Sequence, residues 1–210
     1  MPLKEPNVYF DHHFQREAAK VMPGEYYATG RDMLLVTVLG SCVTACLRDR
    51  VNGVAGMNHF MLPDRHAEHA PPLIGLATRY GAFAMEALIN DMLKLGAQRR
   101  YIEAKVFGGG EVLQGMGGGM HVGRRNAEFI QRYLHAEGIP MHAHDLLGHH
   151  PRKVYFFCSS GKVMVKRITK LNNDTILQRE FEYRTHLLRD PLEGDVTLFD
   201  EPSGRTGGQT

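Results

Sequence analysis

The sequence predicts an α/β protein whose single domain is a layered sandwich of mixed, mostly antiparallel β-sheet with two main helices. Three observations support this fold class. Short apolar runs separated by turn residues recur along the chain, two longer segments have helical periodicity, and one block, 25–170, contains nearly all of them. The 210 residues suffice for one domain with a sizeable core. We assign 1–24 to an N-terminal extension and 171–210 to a C-terminal extension with a disordered tail.

The predicted strands are runs rich in β-branched, aromatic and other apolar residues. An Asn52-Gly53 turn joins two of them into a hairpin, and a Ser160-Gly161 turn joins the last two. In chain order the strands are expected within 25–30, 33–38, 42–47, 54–62, 101–109, 139–146, 153–160 and 162–168.

Two segments repeat apolar residues at three- and four-residue spacing, which is typical of amphipathic helices. The first runs from Leu76 to Leu95 and ends at Gly96. The second runs from about Arg125 to Glu137, where a glycine and then a proline follow. The C-terminal extension contains a further short helix candidate.

Composition excludes several classes of protein. A net charge of +2 with scattered basic residues gives no reason to expect a nucleic-acid partner. The longest apolar run, around 33–47, is shorter than the ~20 residues of a membrane span, so no membrane insertion is expected. The N-terminus lacks the apolar core of a signal peptide. Three cysteines form no disulfide framework, which favours a reducing compartment and a cytoplasmic location.

The stretch "LLVTVLGSCVTACL" contains the most informative cysteine. Its apolar run breaks at Gly40-Ser41 and restarts with Cys42. Two interpretations stay open: the thiol fills the core, as free cysteines usually do, or the turn exposes it beside backbone N–H groups. Cys46 and Cys158 lie inside apolar strands, where core packing is expected.

A histidine on the neighbouring strand is a candidate base for this cysteine. If the hairpin is centred between Arg50 and Val51, Cys42 directly faces His59. An imidazolium beside a thiol lowers the thiol pKa, and the same imidazole can protonate a departing amine. Thr37 is the nearest candidate for orienting the ring. The hypothesis requires both side chains to meet in a groove that solvent can reach.

The turn could also stabilise an oxyanion. Backbone N–H groups around Gly40, Ser41 and Cys42 are placed to receive the negative oxygen of a tetrahedral intermediate. Core packing of Cys42 and an ordinary strand histidine at position 59 remain the structural alternative.

Five segments of the chain together resemble the chemoreceptor glutamine deamidase family, CheD. They occur in the family's order, and the resemblance extends from about Pro23 to Ile168. The segments read "TVLGSCVTACLRD", "GMNHFMLP", "RYGAFAMEALINDMLKLGA", "KVFGGGEV" and "VGRRNAEFIQRYLHAEGI".

The resemblance implies an activity and roles for three residues. The activity is cytoplasmic hydrolysis of glutamine side chains in methyl-accepting chemotaxis receptors, giving glutamate and ammonia without a cofactor or metal. Cys42 would be the nucleophile, His59 the general base and acid, and Thr37 the residue that orients His59. The family fold is an α/β sandwich related to bacterial toxin deamidases.

Receptor glutamines lie on the helical cytoplasmic region, so the resemblance also implies a shallow cleft. Asn58 in the Asn58-His59 pair is a candidate substrate contact. Glycine walls at Gly108, Gly109 and Gly110, and at 115–119, would let a helix approach closely. The arginines Arg124, Arg125 and Arg152 either steer an acidic receptor or are plain surface charges.

Two rival functions stay open. One is an adaptor that binds and stimulates a CheC-type phosphatase, and the other is a cysteine hydrolase of small amides such as free glutamine.

Histidine pairs in the loops do not form a recognised zinc pattern. The pairs are His66 and His69, His142 and His144, and His149 and His150. We therefore expect no intrinsic metal site. Asn126 is interpreted as a cap at the start of the second helix.

Overall fold

The computed structural model describes residues 7–62, 74–112, 122–168 and 174–189. Two five-stranded sheets pack face to face, and two helices cover the outer face of the second sheet. This arrangement confirms the predicted α/β layered sandwich with mixed sheets.

The first sheet has the strand order β1-β2-β4-β9-β10. Only the β2–β4 pair is parallel in this sheet, and the other pairs are antiparallel. Its strands are β1 Asn7–Asp11, β2 Arg16–Lys20, β4 Leu34–Leu39, β9 Arg152–Phe157 and β10 Val163–Arg167.

The second sheet has the order β3-β6-β5-β7-β8. Here β7 and β8 are parallel, and the remaining neighbours are antiparallel. Its strands are β3 Tyr26–Thr29, β5 Val43–Asp49, β6 Ala55–Asn58, β7 Ile102–Gly108 and β8 Met141–Leu146.

Three helices complete the described fold, with a short 3-10 turn at Arg99–Tyr101. They are α1 Ile74–Lys94, α2 Val122–Ala136 and α3 Asp174–Arg189. Residues of α1 and α2 bury one stripe each against the second sheet, including Leu88, Met92 and Ile130. Within the described residues, no helix is long and apolar enough to cross a membrane.

A second core fills the space between the sheets. Leu35 and Leu39 from β4 meet Cys46 and Met57 from the second sheet. Strands buried on both faces read as continuous apolar runs, which explains the sequence of β4 and β5. The same layer contains Cys42, so the candidate nucleophile lies between the sheets.

The predicted strands and both long helices are present, with shifts of a few residues at their ends. The segment interpreted as an N-terminal extension differs, because it contributes β1 and β2 to the first sheet. The consecutive small residues Ala18 and Ala19 are fully buried there. The predicted boundary at residue 24 therefore does not coincide with an edge of the sheet.

The hairpin register also differs from the prediction. Leu47 pairs with Gly56, and Val43 bridges Phe60. The Asp49 carboxylate accepts hydrogen bonds from the two loop amides at residues 51 and 52, each at 2.8 Å, and so closes a four-residue loop. His59 consequently lies opposite Thr44 and not opposite Cys42.

Candidate active site

The Gly40–Cys42 turn connects β4 to β5 and is anchored from two directions. The amides of Gly109 and Gly110 donate to the carbonyl oxygens of Cys42 and Gly40, at 2.7 and 2.8 Å. From α2, the Asn126 amide donates to the Ser41 carbonyl at 2.8 Å. These bonds fix the peptide planes of the turn, and therefore the directions of its N–H groups.

The glycines after β7 allow this close approach. A Cβ at Gly108, where φ is +113°, would lie 2.2 Å from the Cys42 carbonyl oxygen. One at Gly109, where φ is +67°, would lie 2.7 Å from the Gly123 carbonyl oxygen. Both glycines are buried. They bring the backbone of β7 against the Gly40–Cys42 turn, so their position differs from the expected wall for a substrate helix.

A hydrogen-bond chain sets the tautomer of His59. The Thr37 hydroxyl lies 2.7 Å from the Val21 carbonyl oxygen and 2.8 Å from Nδ1 of His59. A carbonyl can only accept, so the hydroxyl donates its one proton to Val21 and accepts from Nδ1–H. The lone pair of the neutral imidazole is therefore on Nε2. No described residue forms a hydrogen bond with that nitrogen, although it is buried.

Cys42 and His59 share one face of the second sheet. The observed pairing is displaced by two residues from the predicted one, and an even displacement leaves each side chain on its original face. The two residues are thus diagonal neighbours across the β5–β6 pair, for which α-carbons lie roughly 7–8 Å apart. Both point into the space between the sheets, where Thr37 also lies.

Three successive N–H groups of the turn converge on one carboxylate. Gly40, Ser41 and Cys42 donate to the Glu180 oxygens of α3 at 2.8, 2.9 and 3.2 Å. The Ser41 hydroxyl adds a fourth bond, at 2.7 Å. The turn is therefore a formed anion nest at the candidate nucleophile.

Gly40 is required for this contact. A Cβ at position 40 would lie 2.8 Å from both Glu180 carboxylate oxygens and 2.7 Å from a methyl group of Val112. Any larger residue would push the carboxylate out of the nest.

The site is closed to solvent, contrary to the open groove that the sequence hypothesis required. Cys42 is 0% exposed and His59 is 1% exposed. The covering layer is α3, since Glu180 fills the nest and Leu187 and Tyr183 join the apolar cluster around Cys42. The closure is thus made by one helix of the C-terminal extension.

Burial and charge keep both groups neutral in this closed state. Burial, the negative charge of Glu180 and a hydrogen bond to that carboxylate raise the pKa of the Cys42 thiol. Burial lowers the pKa of His59 from 6.5 to about 4. At neutral pH the pair is therefore a thiol and an uncharged imidazole.

A small pocket opens beside the imidazole. Its lining includes Val21, Thr37, His59, Arg179 and Glu180. The pocket has space for about one water molecule.

Asn58 and Arg152, which the sequence suggested as substrate or docking contacts, are both buried in the structure. Asn58 is buried, and its amide accepts from the Ala45 N–H at 2.9 Å and donates to the Ala84 carbonyl at 3.2 Å. Arg152 is also buried, where it forms an ion pair with Asp145 at 3.2 Å. Neither side chain reaches the surface as a docking contact would require.

Two further arginines and part of the glycine-rich loop were also suggested as docking elements. Arg124 is exposed and lies 3.9 Å from Glu111. Arg125 is partly buried on α2. Residues 115–119, His66 and His69 lie outside the described residues. No group of three or more potential metal ligands occurs among the side chains that the structure describes.

Two functional candidates were not recognised from the sequence: Asn126 was interpreted as a helix cap but lies inside α2, and Glu180 was not singled out. Asn126 is fully buried and bridges two segments, because it also accepts from the Leu62 N–H at 2.8 Å. A polar residue among the apolar positions of an amphipathic helix was the available signal. Glu180 gave no such signal, since it lies in an ordinary charged helix 138 residues from Cys42.

Comparisons with known proteins support the resemblance. The family model described as CheD chemotactic sensory transduction matches residues 61–167. The chain belongs to the CheD family. The probable chemoreceptor glutamine deamidase CheD of Herminiimonas arsenicoxydans is 58% identical over 193 residues, covering 92% of this chain and 94% of that protein.

Similarly named proteins match over nearly the same length. That of Janthinobacterium sp. (strain Marseille) is 56% identical and covers 92% of this chain and 94% of its own. That of Laribacter hongkongensis is 55% identical and covers 91% and 92%. The family-model match begins after both Cys42 and His59, whereas the alignments with these CheD relatives are long enough to include the whole candidate site.

Proposed function

We propose that this CheD family member is a protein-glutamine glutaminase that converts glutamine side chains of chemoreceptors to glutamate and ammonia. The curated relatives named above carry the same activity in their names. We further propose that it acts in the cytoplasm, on the helical cytoplasmic region of methyl-accepting receptors.

One observation carries the proposal: the N–H nest beside Cys42 already binds the side-chain oxygens of a glutamate. Glutamate is the product of glutamine hydrolysis. The side-chain carboxamide of glutamine has the same shape as the side-chain carboxylate of glutamate. The N–H groups of Gly40 and Cys42 both donate to one oxygen of the Glu180 carboxylate, Oε1, as two donors to a carbonyl oxygen would. A preorganised donor of this kind contributes about 3–4 kcal/mol to transition-state stabilisation.

The proposed reaction uses His59 as a proton carrier. Nε2 takes the proton of the Cys42 thiol as sulfur attacks the carboxamide carbon, and the carbonyl oxygen becomes the oxyanion in the nest. The same proton then passes to the departing nitrogen, and ammonia leaves a thioester. A water molecule, for which the small pocket beside His59 has room, gives one proton to Nε2 and attacks the thioester. Collapse of that intermediate releases glutamate and restores the thiol.

Thr37 supports this sequence as a positioning residue. Its hydroxyl holds Nδ1–H and so leaves the lone pair on Nε2, the nitrogen that must accept a proton. Without a fixed tautomer, some of the imidazoles would have a hydrogen on Nε2 and could not accept the thiol proton there.

The decisive experiment compares two cysteine variants. A receptor cytoplasmic fragment is incubated with the wild-type chain, with Cys42→Ala or with Cys46→Ala, and glutamine-to-glutamate conversion is followed by mass spectrometry. Cys42→Ala is expected to abolish conversion, whereas Cys46→Ala removes a buried thiol of the same hairpin and is expected to retain it. Conversion by Cys42→Ala would refute the assigned nucleophile.

The same protein samples distinguish the rival functions. A receptor deamidase leaves free glutamine intact, whereas a hydrolase of small amides releases ammonia from it. A CheC-type phosphatase partner stays a prediction. If the chain is only a stimulating adaptor, phosphatase activity rises with both cysteine variants while no preparation converts receptor glutamine.

A further inference from the structure

The contact between α3 and the nest is unusual for a structural helix contact. Glu180 is 2% exposed and accepts hydrogen bonds from three backbone N–H groups and from the Ser41 hydroxyl, all in the Gly40–Cys42 turn. Within the described residues, its carboxylate forms no ion pair with a lysine or arginine. Burying a charge without a counter-ion costs free energy, so the contact depends on the nest itself.

The chemistry of this side chain matches the reaction. A substrate must place the carbonyl oxygen of a glutamine at the N–H groups of Gly40 and Cys42, and the product of hydrolysis is a glutamate held there. We propose that α3 is a tethered product mimic, which occupies the position of the substrate helix with Glu180 in place of the reacting glutamine. This inference rests on the proposed deamidase function, and it makes displacement of α3 a requirement for receptor binding.

The contacts of α3 also describe the helix that the site accepts. Tyr183 and Leu187 follow Glu180 by three and seven residues, so all three lie on one face of the helix. Tyr183 packs against Gly24, where a Cβ would lie 2.8 Å from the ring, and Leu187 is 9% exposed within the inter-sheet cluster. By contrast Phe181 is 55% exposed and faces away.

The side chains on this face of α3 predict which substrate helices the site prefers. We expect a preferred substrate to be an amphipathic helix with an aromatic or aliphatic residue three positions after the glutamine, and another seven positions after it. Gly24 lacks the side chain that would block a ring at the first of these positions.

Electrostatics agree with an inhibitory contact. The contact opposes formation of the thiolate, since burial of the site and the negative charge of Glu180 both raise the pKa of Cys42. A neutral glutamine in the same nest lacks this charge. The mimic thus occupies the site and also keeps the nucleophile protonated.

The first test measures access to Cys42 in the full chain. Wild type, Glu180→Ala and the control Glu182→Gln are treated with iodoacetamide at pH 7.5, and labelling of Cys42 is followed by peptide mass spectrometry. Glu182 is exposed and lies two residues after Glu180 on the same helix. Glu180→Ala is expected to label at least about tenfold faster than the control, because hydrogen bonds to a charged group each contribute about a decade to an equilibrium.

A second variant leaves the nest unchanged. Leu187→Asp places a charge in the apolar cluster and should release α3 without altering Glu180. Far-UV circular dichroism confirms that each variant is folded. If Glu180→Ala and Leu187→Asp both label Cys42 no faster than Glu182→Gln does, the proposed mimic is wrong.

A third variant turns the mimic into a substrate. In Glu180→Gln the chain presents its own glutamine to Cys42, and we expect conversion back to glutamate at position 180 within the same molecule. The double variant Cys42→Ala/Glu180→Gln should keep its glutamine. Retention of glutamine in the single variant, under conditions in which receptor glutamine is converted, would contradict the proposed alignment.

Receptor assays separate failure of this inference from failure of the proposed function. Faster receptor conversion by Glu180→Ala than by Glu182→Gln supports an inhibitory α3, and equal rates refute it. If every preparation fails to convert receptor glutamine while Cys42 labelling still depends on Glu180, the closed site stands and the deamidase function is wrong.

Discussion

Replacing Thr37 with valine tests whether one buried hydroxyl controls the chemistry of His59. The substitution keeps the side-chain shape but removes the group that donates to the Val21 carbonyl and accepts from Nδ1–H. A buried donor and a buried acceptor then lack partners, each at a cost of about 1–3 kcal/mol. We expect the free energy of unfolding to fall by about 2–6 kcal/mol.

The effect on activity has a separate origin. Without the hydroxyl, the imidazole can carry its proton on either nitrogen and can rotate, so only part of the population has its lone pair on Nε2. A lost orienting bond of about 1.5–3 kcal/mol corresponds to a fall in kcat/KM of about 10- to 100-fold. Thr37→Ser is the matched control, because serine keeps the hydroxyl and should retain most of the activity.

The assay combines receptor-fragment deamidation with nitrogen NMR of His59. Wild type and Thr37→Ser should show a protonated Nδ1 and an unprotonated Nε2, whereas Thr37→Val should show mixed tautomers. If Thr37→Val has a kcat/KM within about twofold of wild type and an unchanged tautomer, the positioning role is refuted.

Two further predictions concern the nest and the buried imidazole. Gly40→Ala should lower kcat/KM by about 100-fold, since its methyl group would occupy space 2.8 Å from the bound oxygens. Gly30→Ala is the control, because a Cβ there meets no atom within 4 Å. For His59, the folded-state pKa of about 4 lies below the ordinary 6.5, so the unfolded chain binds more protons between these pH values and stability falls as pH falls through them. Urea denaturation should show about 3 kcal/mol less destabilisation from pH 7 to pH 4 in His59→Gln than in wild type.

A specific experimental result would contradict each of these predictions. Equal kcat/KM for Gly40→Ala and Gly30→Ala would mean that the nest does not hold the reacting oxygen. Identical pH dependence of the unfolding free energy in His59→Gln and wild type would show that the imidazole is not buried as a neutral group.

Local sequence pattern was sufficient for most of the fold. The apolar runs of β4 and β5, and the helical periodicity of α1 and α2, predicted these elements because burial on a face imposes a fixed spacing. The first two strands escaped prediction, since β1 is largely exposed and β2 is a mixture of charged residues and alanines. Their pairing depends on partners that only the folded sheet supplies.

The candidate site was predictable where the residues are close along the chain. Cys42 and His59 lie at the ends of the paired strands β5 and β6, Thr37 lies across the inter-sheet space on β4, and the Gly40-Ser41 turn signalled the nest. The register was off by two residues, because the Asp49 carboxylate closes a longer loop than the Asn-Gly signal suggested. The contact with Glu180 could not be predicted from the sequence, since no periodicity or motif relates positions 138 residues apart.

The parallel pairing of β2 with β4 has a consequence for anyone who shortens this chain. The carbonyl that receives the Thr37 proton belongs to Val21, one residue after β2. Removing the first 24 residues would free that hydroxyl to donate to the ring. The imidazole would then hold its hydrogen on Nε2, and the fragment would lack the proposed base although the side chains of Thr37, Cys42 and His59 are all still present.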